Sequence, residues 1–404
     1  MNNYISKILA EEIKDSRDNP TLKVTVWVGE IHDSFSVPSG ASTGAHEAHE
    51  LRDEDGKGIK TALEKVNTVI DPVLIGKDIF KQEEIDRIMI ELDGTANKDI
   101  LGGNSMIGVS IACAKVAAKV KKEEVFKYLQ NLAEIKPSRR IPFLYMNLIN
   151  GGKHAKNNLA FQEYHIVPET ENVEEAINIG IAIHNYLKEK IKKDLGEEST
   201  IYGDEGGFAP KISDIRQPII YLHEAIKQNG LEGKVRIALD VASSSFYDKG
   251  KYKVDGKEIT KDELLGIYAD LMKEFNLLSI EDPFQEEDFE SFRELKDAQS
   301  TLKVVGDDLT VTNKILLQQA IEKNSINAMI IKPNQIGTLT ETLQTMKLAR
   351  DNNVELIVSH RSGETEDDFI ADLAFAFGCF GLKAGAPTKT ERMVKYKRLI
   401  QITH

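Results

Sequence analysis

Cysteine is scarce in this chain. Only Cys113 and Cys379 occur among 404 residues, and both stand in apolar stretches. Two cysteines in a chain of this length do not form the framework of a disulfide-rich secreted domain. We therefore expect two buried free thiols in a reducing compartment.

Long apolar runs are also missing. No stretch approaches the ~20 consecutive apolar residues that a membrane-spanning helix needs. Residues 1–18 alternate apolar and charged side chains too often for a signal peptide. The sequence predicts a cytoplasmic protein with no membrane span.

Positive charge is in deficit. The 52 Lys and Arg residues are outnumbered by 65 Asp and Glu residues, so the net charge is −13 at pH 7. Nucleic acids and anionic membranes bind basic surfaces, so neither is the expected partner. An anionic small molecule would need cations clustered locally at its site.

The first part of the chain has strand patterns followed by helical patterns. Residues 22–37 alternate with period two around Gly29-Glu30, which predicts a hairpin. Small residues follow, and then a charged helix is expected from about His46. Further helical patterns cover residues 59–70, 82–92 and 104–129. Strands followed by helices indicate an α+β domain, which we assign to residues 1–134.

Beyond a connection at residues 135–142, six short Ile/Val/Leu runs each end in an ionisable residue. Most of these ends are spaced by about 25 residues, as expected for successive βα units. The six ends are Asp240, Glu281, Asp307, Lys332, His360-Arg361 and Lys383. Short runs of this kind are typical of buried strands.

Charged residues at the carboxyl ends of parallel strands are typical of the active-site mouth of a (β/α)8 barrel. The alternative is an open doubly wound sheet, which would need a G-x-G-x-x-G phosphate loop. Neither Gly151-Gly152 nor Gly206-Gly207 supplies that spacing. We predict an α/β protein with a TIM-like barrel over residues 135–404 and a smaller N-terminal α+β domain.

Asp240, Glu281 and Asp307 are the candidate metal ligands. Their carboxylate oxygens are hard ligands that suit Mg²⁺. A strand-end acid can also cap the next helix, and that alternative stands for any one of them alone. Three acids beside Lys332 favour a metal site with an adjacent base.

Lys332 follows a buried strand, so burial and nearby positive charge should lower its pKa and allow it to act as a base. An isolated lysine would instead extend to solvent. Glu205 stands between glycines in residues 203–210, where it could act as a general acid if it is desolvated. A simple turn is the alternative there.

A third group of side chains could bind an anion. Arg361 beside Ser362 fits a phosphate or a carboxylate, and Lys383 adds a further cation. His154 is ambiguous, since a lone loop histidine is more often structural. Gln162-Glu163 begins another apolar run and could place a carboxylate at the barrel mouth.

Eight motifs, in this order, resemble the enolase family. They are residues 37–44 (VPSGASTG), 91–98 (ELDGTANK), 151–155 (GGKHA), 203–207 (GDEGG), 279–284 (SIEDPF), 306–313 (GDDLTVTN), 334–337 (NQIG) and 359–366 (SHRSGETE). The resemblance extends from about Asp15 to Lys397, which is nearly the whole chain. Residues 37–44 resemble the active-site loop of that family.

The resemblance implies reversible dehydration of 2-phosphoglycerate to phosphoenolpyruvate in glycolysis and gluconeogenesis. It also implies a barrel with an atypical ββαα start and two Mg²⁺ ions, the second arriving with the substrate. A lysine base with magnesium is general to the wider superfamily. The implied roles are Asp240, Glu281 and Asp307 for the first ion, Ser42 for the second, Lys332 as base, Glu205 as acid, Glu163 and His360 as further catalytic residues, and His154, Gln162, Arg361, Ser362 and Lys383 as substrate contacts.

Both ends of the chain depart from the family pattern. Asp18 stands where the family has glycine, Glu11 replaces a usual arginine, and no acidic tail follows Gln401. These regions resemble parts of the family's dimer contact. A homodimer is expected, and a dimer of dimers or an octamer are the alternatives.

Two rival functions remain open. One is a racemase or cycloisomerase of the wider superfamily, which the anion-binding residues and Glu205 argue against. The other is a non-enzymatic binding protein, because similar enolases also occur at the cell surface or in secreted form. Every catalytic position is filled here, which favours the enzyme.

Overall fold

The computed structural model describes residues 3–40 and 44–404 of the chain. Its N-terminal part has a three-stranded antiparallel sheet in the order β1-β2-β3, followed by helices. A π-helical segment, Lys65–Ile70, joins the first two helices. The elements are β1 (Lys7–Lys14), β2 (Pro20–Val28), β3 (Ile31–Ser36), α1 (Lys60–Glu64), α2 (Asp71–Leu74), α3 (Gln82–Asp93), α4 (Gly103–Lys121) and α5 (Val125–Leu132).

The predicted hairpin is confirmed as β2 and β3, with Val28 paired to Ile31 across the turn. Strand β1 was not predicted. Helix α4 covers the sheet, and Gly108 permits the close approach. A Cβ atom at Gly108 would lie 2.6 Å from Val24 Cγ2.

The prediction of a charged helix from about His46 is wrong. The chain from His46 to Ile59 forms turns and loop, and the first helix begins at Lys60. Asp53 ends the loop because its carboxylate accepts hydrogen bonds from the backbone N–H groups of Lys60 (3.2 Å) and Thr61 (2.8 Å). Gly58 packs so tightly on Asp53 that a side chain would not fit.

The helical pattern over residues 104–129 is two helices. Helix α4 ends at Lys121, and Lys122 adopts a left-handed backbone conformation with φ of 57°. Helix α5 then begins at Val125. Local periodicity continues through the break, so the pattern alone does not reveal it.

The C-terminal part is a closed barrel whose strands follow the circular order β10-β11-β12-β13-β14-β4-β5-β6. Strand β5 runs antiparallel to β4 and β6, and two helices separate β5 from β6, so the ββαα start is confirmed. The barrel strands are β4 (Phe143–Asn150), β5 (Glu163–Pro168), β6 (Val235–Asp240), β10 (Ser279–Glu281), β11 (Lys303–Gly306), β12 (Ala328–Ile331), β13 (Glu355–Ser359) and β14 (Gly381–Lys383).

The helices of this part surround the barrel, and a small antiparallel sheet follows β6. That sheet contains β7 (Tyr247–Asp248), β8 (Lys251–Val254) and β9 (Lys257–Ile259). The helices are α6 (Val173–Leu195), α7 (Gln217–Gln228), α8 (Lys261–Phe275), α9 (Phe289–Ala298), α10 (Lys314–Glu322), α11 (Pro333–Ile336), α12 (Leu339–Asp351), α13 (Phe369–Ala376) and α14 (Thr390–Thr403). Among the helices described, none is long and apolar enough to cross a membrane.

The strand register brings the charged ends of the runs to one mouth. Glu281 pairs with Asp240, Asp240 pairs with Glu163, and Ser359 pairs with Lys383. The parallel strands present their last residues to the mouth, whereas the antiparallel β5 presents its first residue, Glu163. Both cysteines are buried and free, as predicted.

The N-terminal part lies over this mouth. Ser39 and Gly363 exchange two backbone hydrogen bonds of 2.8 and 2.9 Å. Lys115 on α4 forms an ion pair with Asp367 at 2.9 Å. These contacts hold the chain on both sides of residues 41–43 against the barrel.

Candidate active site

A pocket lies at the mouth of the barrel, where the carboxyl ends of the parallel strands meet. It collects nearly all of the side chains that the sequence analysis singled out. The lining residues are His154, Gln162, Glu163, Glu205, Asp240, Ala242, Asp282, Asp307, Asp308, Lys332, Ser359, His360, Arg361, Ser362 and Lys383. Glu281 adjoins the pocket through Lys383, and Ser42 lies outside the described residues.

Two carboxylates converge on the ammonium group of Lys383. Its Nζ atom lies 3.0 Å from Asp240 Oδ2 and 2.8 Å from Glu281 Oε1. Burial raises the pKa of Asp240 above its usual value even though Lys383 opposes the effect. Burial and the neighbouring Asp240 raise the pKa of Glu281 well above its usual value. These carboxylates are therefore crowded and short of positive charge.

The third candidate ligand, Asp307, is bonded to Lys332 and accepts a hydrogen bond of 2.9 Å from Gln335. Burial would raise the pKa of Asp307, but Lys332 and then Lys383 outweigh it and lower the pKa. Carboxylate oxygens suit a hard divalent cation, and such an ion would supply the positive charge that Asp240 and Glu281 lack.

The pKa of Lys332 differs from the prediction. Burial would lower it, but the adjacent Asp307 raises the pKa of Lys332 to about 12. The expected lowering is therefore wrong for this structure. Arg361 and Lys383 do act in the predicted direction, and Asp307 outweighs them.

Glu205 is buried on the other side of the pocket. Asn147 donates a hydrogen bond of 3.0 Å to its Oε2 atom, and His360 Nε2 lies 3.2 Å from the same atom. Burial and Glu163 would raise the pKa of Glu205, but His360 and His154 lower it below the usual value. The segment does form a turn, closed by a hydrogen bond of 3.3 Å from the Gly206 N–H to the Gly203 carbonyl, and this turn presents the buried Glu205 carboxyl group to the pocket.

Glu163 and His154 extend this acidic group. His154 Nδ1 lies 3.2 Å from Glu163 and 3.6 Å from Glu205. Burial would lower the pKa of His154, but the two carboxylates raise it. His165 contacts the other oxygen of Glu163 at 2.8 Å. The lone loop histidine is therefore part of the pocket.

The cationic side of the pocket is held by an interdomain ion pair. Arg361 donates hydrogen bonds to Glu47 at 2.9 Å and to Asn334 at 3.2 Å. Glu47 also accepts hydrogen bonds from the backbone of Gly44 at 3.0 Å and from Gln335 at 3.3 Å. It thereby joins the N-terminal part to the barrel.

A further acidic cluster lies behind the strand ends. Atoms of Asp282, Asp307 and Asp308 lie within 4.8 Å of one another. Asp282 accepts hydrogen bonds from the backbone N–H groups of Asp307 (3.0 Å) and Asp308 (2.8 Å). Asp282 therefore orients the end of β11, which places Asp307 toward the pocket.

Sequence reasoning missed four residues that support the pocket. Asn147 lies inside a strand, and Arg392 lies inside a regular helix. Glu47 falls in the segment wrongly expected to be helical, and Gln335 lies in a motif used only for recognition. Glu47 lies three residues after the 37–44 segment, and this proximity was the one available signal.

Both parts of the chain match family models. Residues 5–129 match "Enolase, N-terminal domain", and residues 138–404 match "Enolase, C-terminal TIM barrel domain". The chain is 46% identical over 404 residues to "Enolase" of Methanocaldococcus jannaschii, covering 98% of this chain and 94% of that protein. It is 44% identical over 416 residues to "Enolase 1" of Entamoeba histolytica, covering 98% of this chain and 95% of that protein. The identity to "Enolase" of Saccharolobus solfataricus is 44% over 402 residues, with the same coverage of 98% and 95%.

Proposed function

The chain belongs to the enolase family and catalyses the dehydration of 2-phosphoglycerate to phosphoenolpyruvate in glycolysis, and we propose that Lys332 and Glu205 perform its two proton transfers. One observation carries this assignment. Lys332 follows β12, and Glu205 adjoins Glu163 at the start of β5. In the circular strand order β12 and β5 are opposite one another, so the two residues face across the pocket.

The reaction needs two groups in this arrangement. Lys332 would remove the proton from the carbon next to the substrate carboxylate. Glu205 would give a proton to the hydroxyl that leaves the neighbouring carbon, so that water is released. The two events occur at adjacent carbons, and a base and an acid on opposite walls can reach both.

The family depends on magnesium, and a cluster of acidic side chains that could hold a metal ion, Asp282, Asp307 and Asp308, includes Asp307 of the set assigned next. We assign Asp240, Glu281 and Asp307 to the first ion, and Ser42 to a second ion that arrives with the substrate. A divalent cation here would replace the ammonium groups at these carboxylates and stabilise negative charge that develops on the substrate carboxylate.

Lys332 must be neutral to act as a base. Asp307 and, more weakly, Glu281 raise its pKa, whereas burial, Arg361 and Lys383 lower it. If both carboxylates bound a cation, the lowering effects of burial, Arg361 and Lys383 would prevail. Lys332 would then approach the protonation state that proton removal requires.

Glu205 must gain a proton to act as an acid. Its pKa is held low by His360 and His154. A negatively charged substrate in the pocket would raise the pKa, because it penalises a second negative charge close by. Glu163 and His360 would both influence the pKa of Glu205. His360 lies 3.2 Å from Glu205, and Glu163 lies 3.2 Å from His154, the other histidine beside Glu205.

The remaining pocket residues would hold the substrate. Arg361, Ser362 and Lys383 supply cationic and hydroxyl donors for phosphate and carboxylate. His154 and Gln162 would contact the substrate from the wall that carries Glu163. The net charge of −13 makes this local cluster necessary for binding an anion.

We further propose that the chain acts in the cytoplasm as a homodimer or a larger homo-oligomer. The two buried free cysteines support the reducing compartment. Membership of the family supports the oligomer. Light scattering of the purified protein would distinguish a dimer from a tetramer or an octamer.

The direct test is formation of phosphoenolpyruvate, followed by its ultraviolet absorbance. We expect activity with 2-phosphoglycerate and magnesium, loss of activity after exhaustive chelation, and recovery when magnesium returns. Full activity after chelation would contradict the metal assignment. Turnover of a non-phosphorylated acid, with none of 2-phosphoglycerate, would favour the racemase or cycloisomerase alternative.

A further inference from the structure

Arg392 is fully buried in the first turn of α14. A cation is disfavoured at a helix N-terminus, and a buried charge needs hydrogen-bond partners. Arg392 donates to the backbone carbonyls of Asp204 (3.1 Å), Arg361 (2.7 Å) and Ser362 (2.8 Å). Its fourth bond, of 2.5 Å, joins Nη1 to Nδ1 of His360. The guanidinium thus connects the Glu205 loop with the anion-binding segment.

The bond to His360 determines where the imidazole carries its proton. A guanidinium group can only donate, so Nδ1 must accept and carries no hydrogen. The single proton of a neutral imidazole is then on Nε2, which lies 3.2 Å from Glu205 Oε2. We propose that Arg392 is a positioning residue that fixes His360 as the neutral Nε2–H tautomer and directs this proton at Glu205.

The N–H direction at His360 Nε2 is not aligned for a full hydrogen bond with Glu205 in this structure. Contacts of this kind in active sites often tighten when the substrate binds. Arg392 holds the opposite side of the ring. A small movement of Glu205 would therefore change the alignment of the His360–Glu205 hydrogen bond, whereas the tautomer of His360 would stay the same.

A glycine packs against the backbone of Glu205 and against the side chains of Arg392 and His360. Gly385 has φ of +82°, which disfavours any other residue. A Cβ atom there would lie 2.8 Å from the Glu205 carbonyl oxygen, 3.0 Å from Arg392 Cδ and 3.1 Å from His360 Cε1. The adjacent Ala386 N–H donates to the Glu205 carbonyl at 3.0 Å. The backbone thus leaves no room for these groups to change places.

The surrounding charges agree with a neutral imidazole. Glu205, Glu163 and Arg392 face His360, and Lys383 lies 3.4 Å from Glu163. Burial lowers the pKa of His360, Glu205 opposes this, and Arg392 adds to the lowering. A neutral His360 donates to Glu205 and does not compete for the proton that an acid must carry. This consequence rests on the proposed role of Glu205, whereas the tautomer does not.

The tautomer can be measured in the unmodified protein. Histidine labelled with ¹⁵N gives distinct nitrogen shifts for protonated and unprotonated ring positions, and His360→Asn would identify the signal by its loss. In the magnesium-loaded protein we expect His360 to remain neutral and protonated on Nε2 over about pH 6 to 8, where an ordinary histidine titrates. A proton on Nδ1, or an imidazolium signal at neutral pH, would overturn the proposal.

Arg392→Lys tests the cause of the tautomer. A single ammonium group cannot make all four bonds, so His360 should become free to bind a second proton and should titrate. We expect kcat to fall by about 100-fold, the lower end of the effect of a positioned acid–base group, and the acidic limb of its pH profile to shift. Unchanged His360 shifts and unchanged kcat in this variant would overturn the proposal.

Arg398→Lys is the matched control on the same helix. Arg398 is bonded to Asp372 at 2.7 Å, away from the pocket, so its replacement should leave the His360 signal and kcat unchanged. If Arg392→Lys does not fold, the measurement on the unmodified protein still decides the proposal. Dehydration by Glu205→Gln would contradict the proposed function without altering the tautomer result.

Discussion

Lys383 donates a hydrogen bond to each of two candidate metal ligands, Asp240 at 3.0 Å and Glu281 at 2.8 Å. All three side chains are buried. The ammonium group therefore supplies positive charge that opposes, without outweighing, the effect of burial on the pKa values of these two crowded carboxylates. A divalent cation bound by the same carboxylates would supply that charge instead, so the two should substitute for one another in stabilising the fold.

Lys383→Met should make stability depend on magnesium. Removing one partner of a buried ion pair costs about 3 kcal/mol, because an uncompensated charge is left behind. We expect that loss in the presence of a chelator and recovery of most of it at saturating magnesium. Urea unfolding with and without magnesium measures the difference.

Lys395→Met is the control for this prediction. Lys395 is equally buried and lies 3.4 Å from Glu364, and its ion pair does not involve Asp240, Glu281 or Asp307. Its replacement should destabilise the protein to the same extent with and without magnesium. An equal gain from magnesium in the wild type and in Lys383→Met would contradict the assigned ion site.

Glu47→Ala should weaken substrate binding. Glu47 orients the Arg361 guanidinium from the N-terminal part at 2.9 Å, and both side chains are nearly buried. Loss of a charged hydrogen bond of this kind costs roughly 1.5 kcal/mol, which corresponds to about a tenfold rise in KM for 2-phosphoglycerate. Steady-state kinetics measure KM and kcat separately.

Glu50→Ala provides the comparison for Glu47. Glu50 pairs with Arg52, and its charge acts on Arg361 less strongly than the charge of Glu47 does. The KM of Glu50→Ala for 2-phosphoglycerate should stay at the wild-type value. A normal KM in Glu47→Ala would show that Arg361 keeps its position without this partner.

His184 should make the fold sensitive to acid. It stacks on Phe208 with ring centroids 4.4 Å apart, beside the loop of Glu205. Burial lowers the pKa of His184 to about 4, from an ordinary value of about 6.5. Between these values the unfolded chain binds a proton that the native protein does not, so stability falls as the pH falls.

This group should account for about 2 kcal/mol of the stability lost between pH 7 and pH 5. His184→Phe should remove that part of the loss, whereas replacement of the exposed His223 should not. Urea unfolding at both pH values measures it. Equal acid sensitivity of the wild type and His184→Phe would contradict the assigned pKa.

The barrel could be predicted because its strands are short aliphatic runs with charged ends. Each strand is buried on both faces, so its sequence is apolar throughout, whichever strands it pairs with. The ends meet at one mouth for reasons of topology alone. Most of the pocket therefore followed from local patterns. Glu205, which no strand end carries, was suggested by the glycines around it, and the family motifs implied its role as the acid.

Long-range contacts could not be predicted in the same way. Arg392 acts on a residue 32 positions away, and Glu47 acts on one 314 positions away. Neither position has a distinctive local pattern. The predicted direction of the Lys332 pKa shift was wrong because the shift depends on the contact between Lys332 and one oxygen of Asp307. The sequence does not reveal where that oxygen lies.

The central claim is the division of labour between Lys332 and Glu205. The measurement uses 2-phosphoglycerate deuterated at the carbon next to the carboxylate and follows loss of deuterium to water by NMR, alongside phosphoenolpyruvate formation. Lys347 is an exposed lysine paired with Asp351. The variant Lys347→Ala is therefore the control and should retain both deuterium exchange and phosphoenolpyruvate formation. We predict that Lys332→Ala loses exchange and dehydration, while Glu205→Gln keeps exchange and loses dehydration. Equal loss of exchange in both variants would contradict the account.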